Sequence, residues 1–126
     1  MGEAPTILIV DDEASLRELM KVVLGEQGYR FVEATHGEEA VAALRECRPD
    51  VVLLDVMLPG RSGLDVLREV RADPELSDVA VVVVSAWQTL AEQQAALDLG
   101  ADAFLAKPFA VEELTAIVAE LMRQAR

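Results

Sequence analysis

The chain predicts an α/β fold, a doubly wound five-stranded parallel sheet with helices on both faces. Three observations carry this. Strand-like runs alternate with helical patterns five times along 126 residues. The strand runs are continuous Val, Ile and Leu rather than alternating apolar and polar residues, as in strands covered by helices on both faces. The connections are short, and right-handed crossovers then place helices on either side of one sheet. At this length one domain can bury a real core. Residues 1–126 are therefore expected to form a single unit, with no output domain in this chain.

Each element follows from local pattern. Thr6–Val10 is the first strand, and it delivers Asp11 and Asp12. A helix is expected over residues 14–27, with Leu16, Leu19, Met20, Val23 and Leu24 on one face. Gly28 is its stop signal. Arg30–Ala34 is the weakest strand. A short helix over 38–45 turns Ala40, Val41 and Leu44 inward, and Pro49-Asp50 breaks it. Residues 51–54 form the third strand, closed by Asp55 and the turn Val56-Met57-Leu58-Pro59-Gly60.

A helix over 63–71 should pack Leu64, Leu67 and Val70. The run 79–84 is the fourth strand and delivers Ser85. The helix over 90–99 is the least amphipathic, because Gln93, Gln94 and several alanines dilute its apolar face; Gly100 ends it. Ala103–Ala106 is the fifth strand and delivers Lys107-Pro108. The last helix, over 111–123, carries a stripe of Leu114, Ile117, Val118 and Leu121.

Composition narrows the function. Apolar residues make up 52%, which excludes a disordered chain, and no run is long enough to cross a membrane. The first residues lack a secretory core and a myristoylation pattern. A single cysteine, Cys47, rules out an internal disulfide and makes the reducing cytoplasm the expected home. The net charge of −12 argues against nucleic-acid binding by this domain.

The functional signal lies where the strands end. In an open parallel sheet, ligands bind outside the carboxyl ends of the strands. Those ends carry three carboxylates (Asp11, Asp12, Asp55), a hydroxyl (Ser85) and an ammonium (Lys107). Clustered carboxylates need a cation. Oxygen ligands with no His or Cys nearby point to Mg²⁺, with Mn²⁺ as a substitute, and leave zinc nothing to bind. Asp55 is then a candidate nucleophile toward phosphorus. Taken singly, Asp11 or Asp12 reads equally well as a cap of the first helix. Lys107 alone reads as a solvated lysine, Ser85 as a turn residue, and His36 as a turn residue rather than a catalyst.

With these residues in place, the chain resembles the receiver domains of two-component response regulators. The resemblance rests on Ile7-Leu8-Ile9-Val10-Asp11-Asp12-Glu13, on Leu53-Leu54-Asp55-Val56-Met57-Leu58-Pro59-Gly60, on Val84-Ser85-Ala86, and on the segment from Gly100 through Lys107-Pro108-Phe109. It implies a flavodoxin-like sheet of order 2-1-3-4-5, the arrangement for which the chemotaxis receiver is a standard example. It implies that Asp55 accepts phosphate. Asp11, Asp12, Asp55 and the Met57 backbone carbonyl would hold the metal, Asp11 through water. Ser85, Phe104 and Lys107 would form the phosphoryl-binding and switching set, with a cis Lys107–Pro108 bond.

Met57 and Trp87 would border the site and tune the access of water. The implied role is a signalling switch read through the α4–β5–α5 surface, not an enzyme beyond self-phosphorylation and its own dephosphorylation. The implied partners are a sensor histidine kinase or phosphotransfer protein and a downstream protein or fused output domain. The charge pair by which transcription-factor receivers dimerise is lacking, since its positions are Ala103 and Ile117. Two other readings compete. A haloacid-dehalogenase-type phosphohydrolase needs an acid two residues after its nucleophile, where this chain has Met57. A non-phosphorylated pseudo-receiver would not need the complete set.

Overall fold

The computed structural model describes residues 4–86 and 89–124. Strands and helices alternate as β1 (Thr6–Val10), α1 (Ala14–Gly25), β2 (Arg30–Ala34), α2 (Gly37–Cys47), β3 (Val51–Asp55), α3 (Gly63–Ala72), β4 (Ala80–Ser85), α4 (Leu90–Asp98), β5 (Ala103–Ala106) and α5 (Val111–Gln124). The sheet is parallel throughout, in the order β2-β1-β3-β4-β5. The expected architecture and strand order both hold.

The continuous apolar runs resolve into two layers. Leu8, Val10, Val52, Leu54, Val81 and Val83 pack against α2, α3 and Ala96 of α4. Ile7, Ile9, Val51, Leu53, Val82, Val84 and Leu105 pack against α1 and α5. Successive side chains point to opposite faces of a strand. Here both faces are buried, so the period of two is hidden in the sequence. β2 reads weakly because it is an edge strand, exposed in part, with Glu33 outward and paired to Arg17 and Lys21 at 2.8 Å each.

Two helices depart from expectation and a third behaves as its pattern implies. α1 buries Met20 and Leu24, but Leu19 is largely exposed. The stripe drawn from the sequence was wider than the face the sheet covers. α2 starts one residue earlier and ends two later than expected, and His36 does more than make a turn. It is the N-cap, its Nδ1 accepting from the Glu39 amide at 3.2 Å. α4 buries only Ala96, as its diluted pattern foretold.

Two long-range ties fix the ends of the sheet. Arg71 of α3 donates to the carbonyls of Gly100 (2.9 Å), Val79 (2.6 Å) and Ser77 (3.0 Å), and to Asp102 (2.8 Å). Asp102 also accepts from the Val81 amide at 2.8 Å. One arginine thus holds the starts of β4 and β5 to α3. At the opposite end, Gly63 closes the β3–α3 loop by donating to the Val56 carbonyl at 2.9 Å. Its backbone lies against the Asp55 carbonyl, and a Cβ there would come within 2.9 Å of Val56 Cα. Those neighbours are backbone atoms and cannot swing aside.

Gly63→Ala should therefore cost about 1–3 kcal/mol, the usual penalty for overpacking a close-packed position. Gly25→Ala, at the end of α1 with nothing within 4 Å of the added atom, should be neutral or mildly stabilising. Urea midpoints of the two variants against wild type check this pair. Equal midpoints would mean that the β3–α3 loop yields.

Candidate functional site

β1, β3, β4 and β5 all end at one edge of the sheet, so the polar residues that follow the apolar runs converge there. Asp11 follows β1, Asp55 closes β3, Ser85 closes β4 and Lys107 follows β5. The strand register places Asp55 beside Val84 and Ser85 beside Ala106. Asp11, Asp55 and Ser85 are buried, whereas Asp12 is exposed at the mouth.

Lys107 is the hub. Its Nζ lies 2.9 Å from Asp11 Oδ2, 3.2 Å from Asp55 Oδ2 and 3.9 Å from Glu13 Oε1. Its amide also donates to the Ser85 carbonyl at 2.8 Å, tying β5 to β4 just below the side chain. The Lys107–Pro108 bond is cis. One carboxylate oxygen each of Asp11, Asp12 and Asp55 lies within 4.8 Å of the others. Three carboxylates facing one ammonium leave a surplus of negative charge. An all-oxygen donor set with surplus charge fits a hard divalent cation.

Burial is the largest influence on Asp55 and pushes its pKa up, and the charge of Asp11 adds to the rise. The Met57 amide, donating to Asp55 Oδ1 at 3.1 Å, and the Lys107 charge pull the other way without cancelling it. Lys107 is opposed by burial. The hydrogen bond to Asp11 and the charges of Asp55 and Asp11 outweigh that and hold its pKa above the ordinary lysine value.

The capping role for the acid pair is realised only in part. The N-cap of α1 is Glu13, with no side-chain cap, and Asp11 Oδ1 accepts from the Glu13 amide at 2.9 Å. Met57, whose amide bonds Asp55, has a side chain that is 63% exposed. Phe104 is partly buried on β5 and packs against the α2–α3 layer. Trp87 lies outside the described residues.

Two residues escaped the sequence reading. Arg17 donates to the Asp11 carbonyl at 2.8 Å while its Nε bonds Glu33, so it braces the β1–α1 turn from outside. Glu13 adds a fourth carboxylate near Lys107. Arg17 makes its contact through a backbone atom, which no motif encodes. Glu13 adjoins the acid pair in sequence, and that adjacency was its available signal.

A family model for the response regulator receiver domain matches residues 7–119. The chain belongs to that receiver family. It is similar to the DNA-binding response regulator MtrA of Mycobacterium tuberculosis, 43% identical over 118 residues, covering 94% of this chain and 50% of that protein. It is also similar to the phosphate regulon regulator PhoB of Pseudomonas aeruginosa, 38% identical over 119 residues, covering 94% of this chain and 52% of that one. The receiver thus spans about half the length of the curated relatives it matches. Among solved structures, the Francisella response regulator 1452 receiver domain superposes with a TM-score of 0.90 at 27% identity, covering 97% of this chain and 99% of that one. Receivers are phosphorylation switches of two-component signalling, not classical enzymes, and this chain is one. No described helix is long and apolar enough to cross a membrane.

The raised Asp55 pKa carries a pH signature. A carboxyl whose pKa rises on folding favours the folded state below its ordinary value of 3.8, and that contribution is lost as pH climbs through the raised value. At neutral pH and without metal, the ionised carboxylate is a burden on this receiver. Asp55→Asn should therefore melt above wild type in EDTA at pH 7, with the gap closing toward pH 4. A gain of about 1 kcal/mol reads as roughly 4 °C in a domain of this size. An unchanged gap across that range would show that burial of the charge costs nothing.

Proposed function

We propose that Asp55 accepts a phosphoryl group from a phosphohistidine of a sensor kinase or phosphotransfer protein, or from acetyl phosphate. The observation that carries this is Lys107 bridging Asp11 and Asp55 at the carboxyl end of the sheet, with Asp12 in reach. An Asp55 carboxylate oxygen forms the new bond to phosphorus as the donor's bond to phosphorus breaks. Asp11, Asp12, Asp55 and the Met57 carbonyl would hold Mg²⁺ or Mn²⁺. When bound, the ion neutralises charge that develops on the transferring group. Lys107 supplies a second, fixed positive charge to the phosphoryl oxygens.

The Ser85 hydroxyl then turns toward the phosphoryl group and Phe104 follows into the space behind it. Phosphorylation shifts a pre-existing equilibrium of the α4–β5–α5 surface rather than building a new one. Reversal is hydrolysis of the acyl phosphate by water in line with the Asp55–phosphorus bond. Met57 offers that water no strong acceptor, and its exposed bulk screens the approach; Trp87 is assigned the same part from the family pattern. Residues 1–126 act as one receiver unit in the cytoplasm, without direct nucleic-acid or membrane contact. The signal passes to a downstream protein or a fused output domain.

Intact mass spectrometry tests the acceptor. Acetyl phosphate and Mg²⁺ should add one phosphoryl group to wild type and none to Asp55→Asn. EDTA or Asp12→Ala should suppress labelling at least tenfold. Labelling of the Asn variant would remove Asp55 from its role.

Lys107→Ala should break the link between phosphorylation and response more severely than Ser85→Ala. The first removes a charge and the second one hydrogen bond to a charged group, worth about 1.5–3 kcal/mol. Amide exchange across α4 and β5, read before and after labelling, distinguishes the two. A Lys107→Ala protein that responds as wild type would contradict the assignment.

A further inference from the structure

Four strands deliver a residue to the acidic site, and β2 delivers none. β2 nevertheless holds one side of the site, through Asp11. The Asp11 amide donates to the Ala34 carbonyl of β2 at 3.1 Å. The Asp11 carbonyl accepts from Arg17 Nη1 at 2.8 Å, and Arg17 Nε is anchored on Glu33 of β2 at 2.8 Å. Both backbone groups of Asp11 are thus tied to that one strand. Its carboxylate is held as well, Oδ1 by the Glu13 amide at 2.9 Å and Oδ2 by Lys107 at 2.9 Å.

Asp12 has no such ties. Its carboxylate is exposed and meets no hydrogen-bond partner among the described residues. The turn it sits in has no side-chain cap at Glu13. The direction of Asp12 therefore comes from the backbone. A peptide unit is planar, so the Asp11 carbonyl, once held, fixes the plane that contains the Asp12 nitrogen and Cα. Arg17 sets that plane. With it goes the closeness of Asp12 to Asp11 and Asp55, one oxygen of each lying within 4.8 Å of the others.

We propose that Arg17 is a positioning residue for the divalent cation. It orients Asp12 through the Asp11–Asp12 peptide, and Glu33 sets its own aim. The proposal rests on the reading of Asp11, Asp12 and Asp55 as metal ligands, and adds a residue that touches neither metal nor phosphate. Its sign separates it from plain electrostatics. Arg17 is a cation beside an acidic cluster, so by charge alone its removal lets a divalent cation bind more tightly. If Arg17 positions Asp12, its removal weakens binding. Lys21 supplies the comparison. It carries the same charge and bonds the other carboxylate oxygen of the same Glu33 at 2.8 Å, but makes no bond to Asp11.

Metal binding to the whole chain, without phosphodonor, tests this. Bound Mn²⁺ is read by loss of the free-ion paramagnetic resonance signal, and Mg²⁺ by competition. Arg17→Gln should raise both dissociation constants about tenfold, the scale of loss when a group that orients a metal ligand is removed. Arg17→Lys keeps the charge but cannot hold Glu33 and the Asp11 carbonyl in one fork, and should fall between wild type and Arg17→Gln. Lys21→Gln should leave binding unchanged or tighten it. In labelling by acetyl phosphate, the Mg²⁺ concentration that gives half the maximal rate should rise about tenfold in Arg17→Gln, and excess Mg²⁺ should recover the rate. Unchanged or tighter binding in Arg17→Gln overturns the proposal, as does an equal loss in Lys21→Gln. A lowered urea midpoint with wild-type metal affinity also overturns it, leaving Arg17 a brace of the fold. Should Arg17→Gln fail to fold, Arg17→Lys decides, since by charge alone it matches wild type. These outcomes leave the metal site standing, whereas a wild-type chain that binds no Mn²⁺ sinks the site and the proposal together.

Discussion

The Lys107 ammonium is the interaction on which the site depends. Asp11 and Asp55 are both buried, and each is tolerable there because Lys107 reaches both at 2.9 and 3.2 Å. Truncating Lys107 would leave two buried carboxylates uncompensated, whereas removing Asp55 leaves the lysine paired with Asp11. Compensation is nevertheless incomplete. Asp55 keeps a raised pKa despite the lysine and the Met57 amide. The folded chain therefore carries a standing surplus of negative charge at one point, and any cation that settles there is favoured before chemistry starts.

The same contacts bind the site to the fold. Lys107 is separated from Asp55 by 52 residues and from Asp11 by 96. In the sheet order β5 stands two places from β3, so the lysine reaches across the end of β4, where Ser85 sits and accepts its amide through the carbonyl. The site cannot form locally. It exists once four parallel strands have taken their places, and strand placement depends on the two apolar layers. Arg17 and Arg71 extend this dependence. One braces the Asp11 carbonyl and the other the starts of β4 and β5, at opposite ends of the sheet.

What was legible in the sequence follows from this division. Strands announced themselves because both faces are buried and the runs are unbroken. Their terminal residues were legible for the same reason: a polar residue closing an apolar run is conspicuous. Helix faces were less so. A stripe of i, i+3 and i+4 positions fixes direction only to within a broad sector, and Leu19 fell outside it. His36 looked like a turn residue because the cap's acceptor is a ring nitrogen rather than the usual hydroxyl or carboxylate oxygen. Arg17 and Arg71 were invisible, since each braces backbone carbonyls, contacts that no motif encodes, besides its one carboxylate partner. Gly63 was equally silent. Its need for a bare Cα comes from the Asp55 carbonyl across the loop, a contact that no spacing rule contains.

α4 shows how a weakly packed element can serve such a site. It follows β4, whose last residue Ser85 borders Asp55, and it packs on β5, which leads to Lys107. Its capping box at Thr89 and Glu92 fixes where it starts. Its single buried residue, Ala96, contributes little apolar area, and opening free energy scales with what an element buries. A well-capped helix with a poor inner face can move as a unit without unwinding. Small changes at Ser85 or Lys107 are then opposed by little packing energy on the α4 side, whereas α2 and α3, with several fully buried side chains each, resist. The asymmetry of the core, dense under α2 and α3 and thin under α4, directs a change at the acidic site toward the β5 edge of the molecule.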